Sequence, residues 1–90
     1  MPEIVIYTRQ FCGFCAMAIR LLEGYGVSYI ERDATGNAEV RAEMIQRANG
    51  AYTFPQIFIG GHHIGGCREL YQLENSGGLA RMLTESGTSA

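Results

Sequence analysis

Glu3-Ile4-Val5-Ile6-Tyr7-Thr8-Arg9-Gln10-Phe11-Cys12-Gly13-Phe14-Cys15 is the stretch on which the fold of this chain turns. Its first six residues form a run that is mostly β-branched and aromatic, too short and too continuously apolar for a helix, and predict a strand buried on both faces. Three residues then turn the chain, and two cysteines follow at the spacing Cys-x-x-Cys. The free amide N–H groups and the positive dipole end of a helix stabilise a thiolate, so a cysteine at a helix start is suited to nucleophilic thiol chemistry. Cys12 holds that position. Cys15 at i+3 lies on the same helix face within reach of the first sulfur, so a disulfide can close and reopen with little motion.

From Cys12 the apolar period becomes helical. Cys15, Ala18, Ile19 and Leu22 recur on one face, Arg20 and Glu23 fall outside, and Gly24 and Gly26 stop a helix expected over 13–24. Val27 to Arg32 alternates as a second strand, and Asp33-Ala-Thr-Gly-Asn37 is a turn whose Asn37 can cap the next helix. That helix spans Glu39 to Asn49, with Val40, Met44, Ile45 and Ala48 as its apolar stripe, Arg41, Glu43 and Arg47 solvated, and Gly50 at its end. Phe54-Pro55 leads into Ile57-Phe58-Ile59. Gly60-Gly61 then turns the chain into His62-His63-Ile64, a hairpin by its turn chemistry. Arg68 to Glu74 reads as a short third helix with Leu70 and Leu73 inward, and a last helical stretch runs through Leu79, Met82 and Leu83. The tail from Ser86 to Ala90 is expected to be flexible. The order β-α-β-α-β-β-α implies a four-stranded mixed sheet flanked by helices, because a strand-helix-strand start pairs in parallel and a hairpin adds antiparallel strands.

Ninety residues, 47% of them hydrophobic, suffice for one domain with a modest core and are too few for two, so a single domain is expected over 1–85. A net charge of −2 from seven cations and nine acids leaves no basic footprint for nucleic acid and no basic stripe for a membrane. All seven cations are arginines, which keep their charge at every working pH. No apolar segment approaches the ~18 residues of a membrane span, and no secretory signal precedes the first strand, which points to the cytoplasm. Three cysteines cannot form an even disulfide framework, and in a reducing compartment a Cys-x-x-Cys is more often catalytic or metal-binding.

A Cys-x-x-Cys at the first turn of the first helix of such a unit reads as a thioredoxin-like redox motif. The sequence resembles the glutaredoxins nearly end to end: Tyr7-Thr8-Arg9 before the dithiol, Cys12-Gly13-Phe14-Cys15 itself, Thr53-Phe54-Pro55 followed by Gln-Ile-Phe-Ile, and His63-Ile-Gly-Gly-Cys67 before a leucine-containing helix. The resemblance implies a thioredoxin-like fold with a cis proline at Pro55. It also implies glutathione-dependent reduction of protein–glutathione mixed disulfides and protein disulfides, with Cys12 as nucleophile and Cys15 as resolving thiol. Arg9, Phe14, Thr53, Phe54, Pro55, Gly66, Cys67 and Arg68 would form the glutathione groove. The partners implied are glutathione and glutathionylated or disulfide-containing proteins, acted on by a monomer.

The chain departs from that pattern in two places. Many dithiol members look like Cys-Pro-Tyr-Cys, whereas Gly13 and Phe14 here resemble the Cys-Gly-Phe-Ser of the monothiol, iron–sulfur branch. This motivates an alternative function, a [2Fe-2S] cluster held by Cys12 and glutathione from each of two chains, the protein being dimeric only in that state. Arg68-Glu69 stands where the family commonly has two acids. A zinc set of Cys12, Cys15, His63 and Cys67 lacks a second closely spaced ligand pair and is disfavoured. Cys67 reads as a groove wall, His62 and His63 as solvated or hydrogen-bonded rings, Tyr7 as packing at the strand end, and the four methionines as core filling. A thioredoxin-type reductase that does not use glutathione is the third class, disfavoured by the groove motifs.

Overall fold

In the computed structural model, which describes residues 2–85, the apolar run forms β1 (Ile4–Thr8) with all five residues buried. The chain continues through α1 (Gly13–Gly24), β2 (Ile30–Asp33), α2 (Ala38–Arg47), β3 (Gln56–Ile59), β4 (His62–Gly65), α3 (Cys67–Asn75) and α4 (Gly78–Glu85). The strands lie in the order β2-β1-β3-β4, with β1 parallel to β2 and antiparallel to β3, and β3 antiparallel to β4. β1 and β3 are therefore interior strands, and every residue of both is buried. The expected mixed sheet and element order are present, with the final helical region divided into α3 and α4. The polar tail lies outside the described residues.

Alternation along the strands sorts the core into two layers. Ile4, Ile6, Ile57 and Ile59 face α1, α3 and α4, packing with Ala18, Leu22, Leu70, Leu79 and Leu83. Val5, Tyr7 and Phe58 point the other way, onto Val40 and Met44 of α2 and its C-cap Ala48. Full burial of each branched aliphatic side chain stabilises the fold by about 1.5–3 kcal/mol, so this sandwich fixes the orientation of α1 against the sheet. At the hairpin both Gly60 (φ 58) and Gly61 (φ 83) adopt the left-handed conformation that a two-residue turn between twisted strands requires. Asn37 caps α2, its Oδ1 accepting from the Val40 amide at 3.1 Å.

Three local expectations change. β2 begins at Ile30, later than the alternation from Val27 suggests: Val27 is buried against the α1 side of the core, and only residues 30–33 pair with β1. Met17 is 41% exposed, so not every methionine fills the core, whereas Met44 is fully buried. The charges of α2 are not all solvated. The Tyr7 hydroxyl, on a fully buried ring, donates to Glu43 Oε2 and accepts from Arg47 Nη1 at 2.9 Å, and Glu43 also pairs with Arg32. Arg47 in addition covers the Phe58 ring at 4.6 Å.

Candidate active site

β1 ends at Thr8, and residues 9–11 carry the chain over the edge of the sheet to the first turn of α1. Cys12 is the N-cap of that helix, with extended backbone, and its Sγ accepts the Cys15 amide N–H at 3.2 Å. A sulfur thus takes the place that a serine or aspartate oxygen usually fills, and it satisfies one of the helix's free donors. Cys12 is half-buried and Cys15 buried, and both are free thiols. Burial, together with a hydrogen bond to Cys12, pushes the Cys15 thiol up to about 12, partly countered by the Arg9 backbone. Cys15 is therefore held protonated beside the outer sulfur at neutral pH.

A second group of residues meets α1 from across the sheet. The Phe54–Pro55 peptide is cis. Phe14, Phe54, Pro55, Gly66, Cys67 and Arg68, all expected at the groove, line one surface groove of about 190 Å³ together with Glu69. Cys67 is buried at the first position of α3, and its thiol is raised by burial and then by the negative charges of Cys12 and Glu69. Glu69 Oε1 accepts the Gly66 amide at 2.8 Å and so caps α3. Gly65, at φ 117, makes room for this carboxylate, since a Cβ there would lie 2.9 Å from Glu69 Cγ.

Arg9 sits elsewhere, on an adjoining groove of about 370 Å³ that shares Phe54 and also includes Phe11, Thr35 and Arg41. Its guanidinium lies 5.9 Å from the Phe54 ring centroid. Arg41, expected to be merely solvated, lines the same groove as Arg9, and nothing in the helix pattern of α2 distinguishes it from the other exposed charges. Thr53 borders neither groove. Its carbonyl and Oγ1 instead accept from Gln56 Nε2 at 3.0 and 3.2 Å, while Gln56 Oε1 meets His63 Nε2 at 2.6 Å. With both amide hydrogens committed to Thr53, the His63 Nε2 must carry the proton of that contact. The His63 ring also stacks on Phe58 at 4.9 Å. Gln56 and His63 were missed as support for the Thr53–Pro55 loop, although a polar residue inside an apolar strand is itself a signal that partners are needed.

A helix-start dithiol next to a groove floored by a cis-prolyl bond, on this sheet order, defines a thioredoxin-like thiol–disulfide oxidoreductase. The chain belongs to the glutaredoxin family, whose profile matches residues 4–64. It is 48% identical to glutaredoxin 3 of Escherichia coli (strain K12) over 83 residues, covering 92% of this chain and 99% of that one. It is 44% identical over 84 residues to a glutaredoxin of Pseudomonas aeruginosa, covering 93% and 99%. Among solved structures, the glutaredoxin of Brucella melitensis superposes with a TM-score of 0.79 at 49% identity, covering 92% of this chain and 89% of that one. A buckwheat glutaredoxin–glutathione complex superposes at 0.84 with 31% identity, covering 99% and 83%. Among the described residues no helix is long and apolar enough to cross a membrane.

Proposed function

We propose that this glutaredoxin reduces protein–glutathione mixed disulfides and protein disulfides at the expense of glutathione, in a reducing compartment such as the cytoplasm. The observation that carries this reading is the asymmetry of the dithiol: an outer sulfur at the helix start accepting a backbone amide, and an inner thiol kept protonated by burial. The Cys12 thiolate attacks the glutathione sulfur of a mixed disulfide. A Cys12–glutathione bond forms, the substrate S–S bond breaks, and the substrate leaves as a thiolate that takes a proton from solvent. A second glutathione thiolate then attacks the glutathione sulfur on Cys12, releasing glutathione disulfide and regenerating the Cys12 thiolate. With a protein disulfide, Cys12 attacks one substrate sulfur to form a mixed disulfide. The Cys15 sulfur then displaces that substrate sulfur from Cys12, the Cys15 proton passing to the departing thiolate, and two glutathiones reduce the Cys12–Cys15 bond and leave as glutathione disulfide.

The groove offers a place for each part of glutathione. The backbone at the Phe54–Pro55 bond suits its cysteinyl part, with Thr53 supporting that loop through Gln56, and the Phe14 ring forms a wall. Amide N–H groups of Cys67 and Arg68 at the start of α3 suit the γ-glutamyl carboxylate, with Arg68 reinforcing them. Arg9, joined by Arg41, suits the glycyl carboxylate. The glutathione named with the buckwheat structure supports this reading by family membership. For the [2Fe-2S] alternative, the donor set is sparse: among the described residues no three of His, Cys, Asp and Glu gather as a metal site, so all ligands but Cys12 would come from outside the chain.

A glutathione-coupled assay with a small glutathione mixed disulfide tests the proposal. Cys12→Ser should lose all turnover, whereas Cys15→Ser should keep it within about threefold and lose only the intramolecular disulfide. Full activity in Cys12→Ser, or no activity in the parent, would end the reading.

A further inference from the structure

Phe11 stands immediately before the nucleophile, with its ring 95% exposed and its backbone at φ 57. A bulky side chain rarely adopts the left-handed conformation, and a phenyl ring in water forgoes the burial that normally stabilises a fold. Both costs fall on one residue of this chain. The segment around it is nevertheless tied down on both sides. The Gln10 amide donates to Thr35 Oγ1 at 2.8 Å, Arg9 lies over Phe54, and Cys12 is locked as the cap of α1. The outward direction of the ring is thus set by a held backbone, and strain kept next to a reactive group points to function.

We propose that Phe11 is a substrate-docking residue that receives the apolar side chains flanking the disulfide cysteine of a polypeptide substrate. The proposal rests on the glutathione-dependent reading above. The glutathione sulfur under attack must come to Cys12 Sγ, and the substrate's cysteine sulfur is bonded to it, so the residues beside that cysteine pass close to position 11, the chain neighbour of Cys12. Phe14, on the other side, is a wall of the glutathione groove. Phe11 borders the adjoining Arg9 groove, but at 95% exposure almost all of its surface is open to meet the polypeptide portion of the mixed disulfide. A substrate whose cysteine lies between serines or aspartates gains nothing there.

Two glutathionylated peptides, identical except that leucine or serine flanks the cysteine, test this directly. The parent should favour the leucine peptide in kcat/KM by about tenfold. Phe11→Gly, which suits φ 57, should bring that ratio to within about twofold of one without lowering Tm, and Phe11→Trp should preserve the preference. Taking the ratio cancels any change in the handling of glutathione itself. A ratio near one in the parent, or the same preference in parent and Phe11→Gly, overturns the docking role. No turnover of either peptide by the parent overturns the glutathione reading and the docking role with it.

Discussion

The backbone amide of Cys15 donates to the Sγ of Cys12 at 3.2 Å, so the inner cysteine supports the outer one before any disulfide forms. The same i+3 spacing that brings the sulfurs together places them in different environments. Cys12 is half-buried at the cap, and Cys15 is 4% exposed one turn inside. A helix start therefore gives two identical side chains different surroundings, an outer sulfur at the cap and a buried inner thiol.

This difference should be visible by alkylation. Iodoacetamide at pH 8 should modify Cys12 first and spare Cys15 and Cys67, with Cys15 reacting only as the pH nears about 12. Because the folded state holds the Cys15 proton more tightly than the unfolded chain, at about 8.5, the associated stability is complete below that pH and is lost as the pH climbs towards 12. The urea midpoint should fall between pH 8 and 10, and fall less in Cys15→Ala. Peptide mass mapping that finds Cys15 alkylated as fast as Cys12 at pH 8 would refute the assignment.

Arg68 is exposed in the first turn of α3, where a cation is unfavourable by about 0.3–1 kcal/mol unless it meets an anion. Arg68→Ala should raise the KM for glutathione by about three- to tenfold with little change in kcat, and added salt should weaken the parent more than the variant. Equal KM values and equal salt responses would show that Arg68 is only a solvated charge.

Gln56 is 3% exposed and links β4 to the loop before the cis proline. Gln56→Leu removes both bonds to Thr53 and leaves the His63 N–H without its acceptor, a loss of about 1 kcal/mol or more. The expected signature is a lower Tm together with a KM for glutathione raised by about two- to fivefold, while His63→Phe, which retains a ring on Phe58, should show the smaller effect. A Gln56→Leu protein with lower Tm and unchanged KM would confine Gln56 to a structural role.

Glu43 accepts from Tyr7 and pairs with Arg32, and the hydrogen bond from Arg32, followed by that from Tyr7, holds its carboxyl below the usual carboxylate range. A lowered folded-state value means the stabilisation is present above the unfolded value of about 4.3 and is lost as the pH falls below it. Glu43→Gln should cost about 1 kcal/mol at pH 7, chiefly from the contact with buried Tyr7, since the Arg32 pair is solvent-screened. The gap between parent and variant should close by pH 3. Thermal melts that keep the gap constant from pH 7 to pH 3 would exclude an ionic origin.

Local patterning alone was enough to define the strand ahead of the dithiol, α1 over Gly13–Gly24, the Asn37 cap and the Gly60-Gly61 hairpin, because each depends on neighbours a few residues away: side-chain period, a capping oxygen, glycines that accept positive φ. Resemblance supplied the cis bond at Pro55. Only the tertiary structure decided which exposed charges had partners. Arg41 lines the groove of Arg9 because α2 packs on β1, and Gln56 reaches both Thr53 and His63 because the β3–β4 register and the loop converge on it. The buried Tyr7 ring carries its hydroxyl out to Glu43 and Arg47 on a helix more than thirty residues away, a contact that no local pattern encodes. Such pairings are set by how the layers stack, since charge and hydrogen-bond energies depend on distances that sequence separation leaves open.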